Sequence, residues 1–202
     1  MKKQWFSISN IVTGLILVFM VAMVIKPEVK AWAIQRLMTI GLFQPNLDTE
    51  ADNGDDTESK NELPPLVLQD ETGKLFDLNM YRGKVVFINF WATWCPPCLA
   101  EMLSIQTLTA KFKQNEDVVF LMVDVDGDFA KSSRFKQKYH YQFDVLAPSG
   151  NIPHIFMTGT IPATLVIDKS GKIVFHHEGA ADYANTEFTD FLQNISGPTK
   201  GL

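Results

Sequence analysis

The chain has 202 residues, 46% apolar and 20% charged, the profile of an ordinary globular protein whose core folds without covalent staples. Its net charge of −5 is unevenly spread: residues 1–45 hold five Lys or Arg and one acid, the remainder 13 and 22. Such an acidic body repels a polyanion, which excludes nucleic acid as a partner, and two cysteines three positions apart are too few and too close to form a disulfide framework.

The first element is the uncharged run Trp5–Ile25, 21 residues long and preceded by Met1-Lys2-Lys3. As a helix rising about 1.5 Å per residue it spans about 30 Å, the thickness of a bilayer core. Ala31-Trp32-Ala33 has the spacing of a signal cleavage site, but it lies behind Lys26, Glu28 and Lys30 and well past the apolar run. An uncleaved transmembrane anchor over residues 1–27 is therefore expected. Lys2 and Lys3 on one flank balance Lys26, Lys30 and Arg36 on the other, so loop charge does not orient it.

Residues 28–45 read as a juxtamembrane amphipathic helix, ended by Gly41 and Pro45. Glu28, Gln35, Arg36 and Thr39 share one arc, and Val29, Trp32, Ala33, Leu37, Ile40 and Phe43 fill the rest. That wheel suits a helix in the membrane interface and equally one packed against protein. Residues 46–65 form an acidic linker: Asp48, Glu50, Asp52, Asp55, Asp56, Glu58 and Glu62 face only Lys60. It is expected to be solvated and self-repelling, and to hold the body clear of an anionic surface.

The body occupies residues 66–202. Leu66–Gln69 and Leu75–Leu78 flank the turn Asp70-Glu71-Thr72-Gly73, a hairpin pattern. Lys84–Phe90 and Val118–Val123 are apolar enough for buried strands. Pro97 opens a helix with Leu99, Met102, Leu103, Leu108 and Phe112 on its apolar face, and Asp128–Tyr139 forms another. Thr164–Ile167 and Lys172–Phe175 make a second hairpin, and Asn185–Ile195 is the closing helix. The order β-α-β-α-β-β-α predicts an α/β domain with a mixed sheet flanked by helices.

The chemistry sits in Trp94-Cys95-Pro96-Pro97-Cys98. A redox dithiol needs one accessible, partly ionised thiolate and a second thiol within reach, and two intervening residues at a helix start meet both needs. Cys95 is thus the predicted nucleophile and Cys98 the resolving thiol. Pro96 and Pro97 bring no N–H to the Cys95 sulfur, which leaves its thiolate less stabilised and the couple more reducing. Leu99 stands where haem attachment needs His, and adjacent His176 and His177 point to opposite faces of a strand, which disfavours zinc. No metal site and no cofactor are expected. Asp124-Val125-Asp126-Gly127-Asp128 resembles the opening of an EF-hand but meets Phe129 and Phe135 where Gly and an acid belong, so it reads as a turn with helix-capping acids.

Two segments carry a family resemblance. Val86-Phe87-Ile88-Asn89-Phe90-Trp91-Ala92-Thr93-Trp94-Cys95-Pro96-Pro97-Cys98, followed by Glu101-Met102, resembles the active-site segment of the TlpA/ResA group of thioredoxin-like proteins. Gly159 to Asp168, with Ile161-Pro162-Ala163 at its centre, is similar to the segment that faces it. The resemblance implies the thioredoxin-like fold over roughly residues 63–196, a cis bond before Pro162, and pairing of the Ile161 backbone with an extended substrate. It also implies an acid near the dithiol at Glu101, suited to carry a proton for Cys98, and places Trp94 beside the thiols on the docking surface. Asn89 departs from thioredoxin, which has an acid at that point.

The reading is a membrane-tethered thiol–disulfide oxidoreductase with its catalytic body facing the periplasm or extracytoplasmic space. The resemblance implies oxidised client proteins as substrates, a DsbD-like transmembrane thiol reductant as electron donor, and cytochrome c biogenesis as a typical setting. The competing readings are a Cu(I) assembly factor using the same thiols and a peroxidase.

Overall fold

The computed structural model describes residues 8–38, 41, 43–45, 47 and 63–197. The start of the expected anchor, Thr39 and Ile40, and nearly all of the acidic stretch lie outside the described residues. Two helices come first, α1 (Ile8–Ile25) and α2 (Pro27–Met38). No single described helix is long and apolar enough to cross a membrane; Asn10–Ile25 meets that test only together with Pro27–Met38, from which it bends by 105°. The bend falls at Lys26-Pro27, where proline opens the new helix but cannot continue the old one. α1 is exposed from Asn10 to Val21 and again at Val24 and Ile25, with Leu15 at 65%, Val18 at 68% and Val24 at 76%.

α2 is different. It is described as far as Met38, and Gly41, at φ +82°, donates its N–H to the Met38 carbonyl at 2.9 Å. Ala31 and Met38 are buried in the core, and Ile34, Phe43 and Leu47 pack on the same cluster. Glu28 pairs with Lys138 at 2.6 Å, and the Phe43 carbonyl accepts from Asp182 N–H at 2.9 Å. α2 thus lies against α3 (Pro96–Lys111) as part of the body. Leu47 packs on one core cluster and Leu63 on the other, so the chain enters and leaves the acidic stretch at the body's surface.

The body is a seven-stranded sheet in the order β2-β1-β5-β4-β3-β6-β7. The strands are β1 (Val67–Gln69), β2 (Leu75–Asp77), β3 (Val85–Trp91), β4 (Val118–Asp124), β5 (Val145–Pro148), β6 (Ala163–Ile167) and β7 (Ile173–Glu178). β3 runs parallel to β4 and β4 to β5, joined through α3 and α4 (Phe129–Tyr139); the other pairs are antiparallel. The mixed sheet agrees with the sequence reading, which lacked β5. Its four residues end in Pro148, too short a run to stand out.

β3 is buried at every position, as a central strand should be. Alternation sends Val86, Ile88 and Phe90 to one core cluster and Phe87 and Trp91, with Asn89 between them, to the other. The first cluster is closed by the chain leading into β1 and by Phe156. The second is closed by α2, α3 and α5 (Thr186–Ser196), with Phe135 of α4 against Trp91. The closing helix starts where Asn185 accepts from Phe188 N–H at 2.7 Å.

Candidate active site

β3 carries the chain up to Cys95, which caps α3 at its N-terminus. Its backbone is extended there (φ −90°, ψ 103°), and Pro96 and Pro97 take the first helical positions, where no N–H is required. The helix therefore begins one residue before the Pro97 start read from sequence. Cys98 lies one turn on, and the two cysteines are joined in a disulfide with Cα atoms 5.3 Å apart. Cys98 N–H points at the Cys95 sulfur at 3.2 Å, and among the described residues it is the one backbone donor there. The prolines have removed the others, and the positive end of the helix supplies the remaining field.

Cys98 is fully buried and Cys95 is 2% exposed. An exposed first cysteine was the expectation; in the disulfide form the sulfur is instead covered by the loop before β6. The Ile161–Pro162 bond in that loop is cis, and the Ile161 carbonyl oxygen lies 3.8 Å from the Cys95 sulfur. Pro162 is buried, and its carbonyl accepts from Gly179 N–H at 2.8 Å. Segments 66 residues apart thus meet at one sulfur.

Glu101, one further turn along α3, is fully buried. Its Oε1 accepts from Asn89 Nδ2 at 2.7 Å, and its Oε2 faces Ala181 N–H at 3.4 Å. Asn89 Nδ2 also donates to Thr164 Oγ1 at 2.9 Å, across the β3–β6 register that sets these two residues opposite each other. Burial pushes the Glu101 carboxyl up to about 8, and the two hydrogen bonds only partly oppose it. Tyr183 closes the group; burial first, then the neighbouring Glu101 charge, raises its hydroxyl well above its ordinary value. A solvated glutamate would have been the ordinary expectation at this helical position. Asn89 stood out in the sequence, whereas Thr164, Ala181 and Tyr183 did not, since only strand register and the turn after β7 bring them here.

Trp94 is 58% exposed, and its indole N–H donates to Asp126 Oδ2 at 2.5 Å. Asp126 sits in the turn after β4. There Asp124 accepts from Asp126 N–H and from the Ser132 hydroxyl, and Asp128 caps α4 by accepting from Lys131 N–H at 3.0 Å. The acids of the EF-hand-like run are thus occupied in shaping a turn. Trp91 is fully buried beside Phe135 and Phe143. No group of three or more His, Cys, Asp or Glu able to hold a metal occurs among the described residues.

A dithiol at a helix start, a cis proline against it and an acid one turn below define the class: a thioredoxin-fold protein built for thiol–disulfide exchange. Residues 58–192 match the redoxin family. The chain is 36% identical over 136 residues to a thiol-disulfide oxidoreductase ResA of Bacillus cereus, covering 67% of this chain and 77% of that one. It is 32% identical over 129 residues to ResA of Halalkalibacterium halodurans, covering 63% and 73%. Among solved structures, a thiol:disulfide interchange protein of the thioredoxin family from Chlorobium tepidum superposes with a TM-score of 0.57 at 21% identity, over 70% of this chain and all of that one. The chain belongs to the redoxin family and is a thiol–disulfide oxidoreductase of the ResA type.

Proposed function

We propose that the protein reduces disulfides of extracytoplasmic client proteins while tethered to the cytoplasmic membrane. The observation that carries this reading is the Cys95–Cys98 disulfide at the first turn of α3, with one backbone donor on its outer sulfur and a buried acid one turn below its inner one. In the reduced protein the Cys95 thiolate attacks a client disulfide, forming a mixed disulfide and releasing one client thiolate. Cys98 then gives its proton to the Glu101 carboxylate and attacks the Cys95 sulfur. The second client thiolate leaves, and the two electrons lost by the dithiol now reside on the client. A carboxyl raised to about 8 takes up a thiol's proton far more readily than one at the ordinary carboxylate value.

Ile161 and Pro162 form the edge along which an extended client segment docks, with Trp94 beside it. The tether is residues 5–25, supported by the exposed apolar surface of α1. Reduction of the resulting disulfide falls to a membrane-embedded thiol reductant, as the family resemblance implies. Cys98→Ala should trap clients as mixed disulfides on Cys95, released by dithiothreitol and visible on non-reducing gels. If no such adducts form, and the reduced protein binds Cu(I) without reducing insulin, the metallochaperone reading replaces this one.

A further inference from the structure

We propose that α2 is a membrane clamp: it fixes the catalytic body against the lipid surface, in one orientation, in place of a body held at a distance on an acidic tether. The proposal rests on the reading of residues 5–25 as an anchor. It follows from how α2 divides its faces. Ala31, Ile34 and Met38, at i, i+3 and i+7, point into the body, where Ala31 and Met38 are 6% and 4% exposed. The opposite arc carries Val29, Trp32, Ala33 and Arg36, and here Trp32 is 51% exposed with the Arg36 guanidinium 5.6 Å from the centre of its ring.

Three observations select lipid as the occupant of that outer arc. First, α1 joins α2 at 105°, so if α1 runs along the bilayer normal, α2 lies near the membrane plane. Second, the cleft between the two helices is lined by Leu15, Val18, Phe19 and Ala22 from one and Val29 and Trp32 from the other, with Glu28 as its one charged residue. Third, the charges match: Glu28 is drawn to Lys138 of the body, and Lys26 and Lys30 stand exposed on either side of it at the bend. An exposed tryptophan with flanking cations is the composition of a helix seated at the level of the headgroups of anionic lipid.

The clamp is held to the body at both ends. Lys138 grips its start, and the Asp182 N–H bond to the Phe43 carbonyl grips the segment that follows. Leu47 and Leu63 both rest on the body, so the acidic residues between them do not set its distance from the membrane. Because α2 lies on α3, the dithiol stands at the end of a helix packed directly on the clamp.

The test uses the full chain in nanodiscs of phosphatidylcholine and phosphatidylglycerol, with Cys95–Cys98 left oxidised so that only an added cysteine takes an environment-sensitive fluorophore. Val18→Cys reports the anchor and Ala33→Cys the clamp; Arg36→Cys repeats the clamp reading if Ala33→Cys fails to fold. Lipids carrying a nitroxide at the acyl chain should quench the first label, and lipids carrying it at the headgroup should quench the second, each losing most of its emission. A quenched label at Val18 with water-like emission at both Ala33 and Arg36 overturns the clamp and leaves the anchor standing. Water-like emission at all three overturns the anchor and the clamp with it.

Discussion

The two faces of β3 come from one seven-residue strand and differ in a single residue type. Val86, Ile88 and Phe90 pack into a hydrophobic cluster, whereas Asn89 on the other face brings a carboxyl and a hydroxyl into the interior. The dry face can serve only packing. The wet face holds a titratable group under the dithiol and keeps it close to neutral pH by denying it water. Stability and reactivity are thus divided between two sides of the same strand.

The largest effect that would break this division is the loss of the nucleophile on the wet side. Cys95→Ser should abolish insulin reduction by the reduced protein and leave the unfolding midpoint of the reduced form nearly unchanged. Next comes Glu101→Gln, which keeps the shape and the Asn89 contact but takes no proton. It should slow the resolution of a preformed mixed disulfide by about 10²-fold, and the part of the rise in rate that follows carboxylate formation near 8 should be lost, leaving only the rise from ionisation of the attacking thiol. The stability sign runs the other way. The folded protein holds the Glu101 proton up to about 8 while the unfolded chain releases it near 4.5, so the contribution of this one group to stability is greatest below 4.5 and falls as pH rises toward 8. Glu101→Gln should flatten that slope, which is at most about 1.4 kcal/mol per pH unit.

On the dry face, Ile88→Ala should cost about 2–5 kcal/mol in urea unfolding, by the same amount at every pH between about 5 and 8, with the pH profile of reduction unaltered. If the profile moves, the two faces are not independent. The smallest effect belongs to the rim. Asp126→Ala frees the Trp94 indole, and loss of that exposed bond is worth about 1 kcal/mol. It should appear as a several-fold rise in KM for a protein client with little change in kcat.

The legibility of these parts follows from how local their signals are. The dithiol, Pro162 and Glu101 sit in short runs whose spacing and family likeness point to them directly. β3 and β4 followed from apolar runs and the two hairpins from their turn residues, whereas β5 escaped because Val145–Pro148 is too short and too soon ended. Thr164 and Tyr183 could not be read in this way. Thr164 meets Asn89 only through a pairing of strands 75 residues apart, and nothing in its own neighbourhood marks it. α2 was ambiguous for another reason: both of its arcs contain apolar residues, and a wheel does not distinguish the inside of a protein from the edge of a bilayer.

The packing of both Leu47 and Leu63 on the body, on either side of the acidic stretch, has a consequence for proteolytic processing. A single nick within the acidic stretch would sever the polypeptide without parting the pieces, since α2 would remain inserted in the core through Ala31 and Met38. The oxidoreductase would then persist as a two-fragment complex, split on a denaturing gel and whole on a native one.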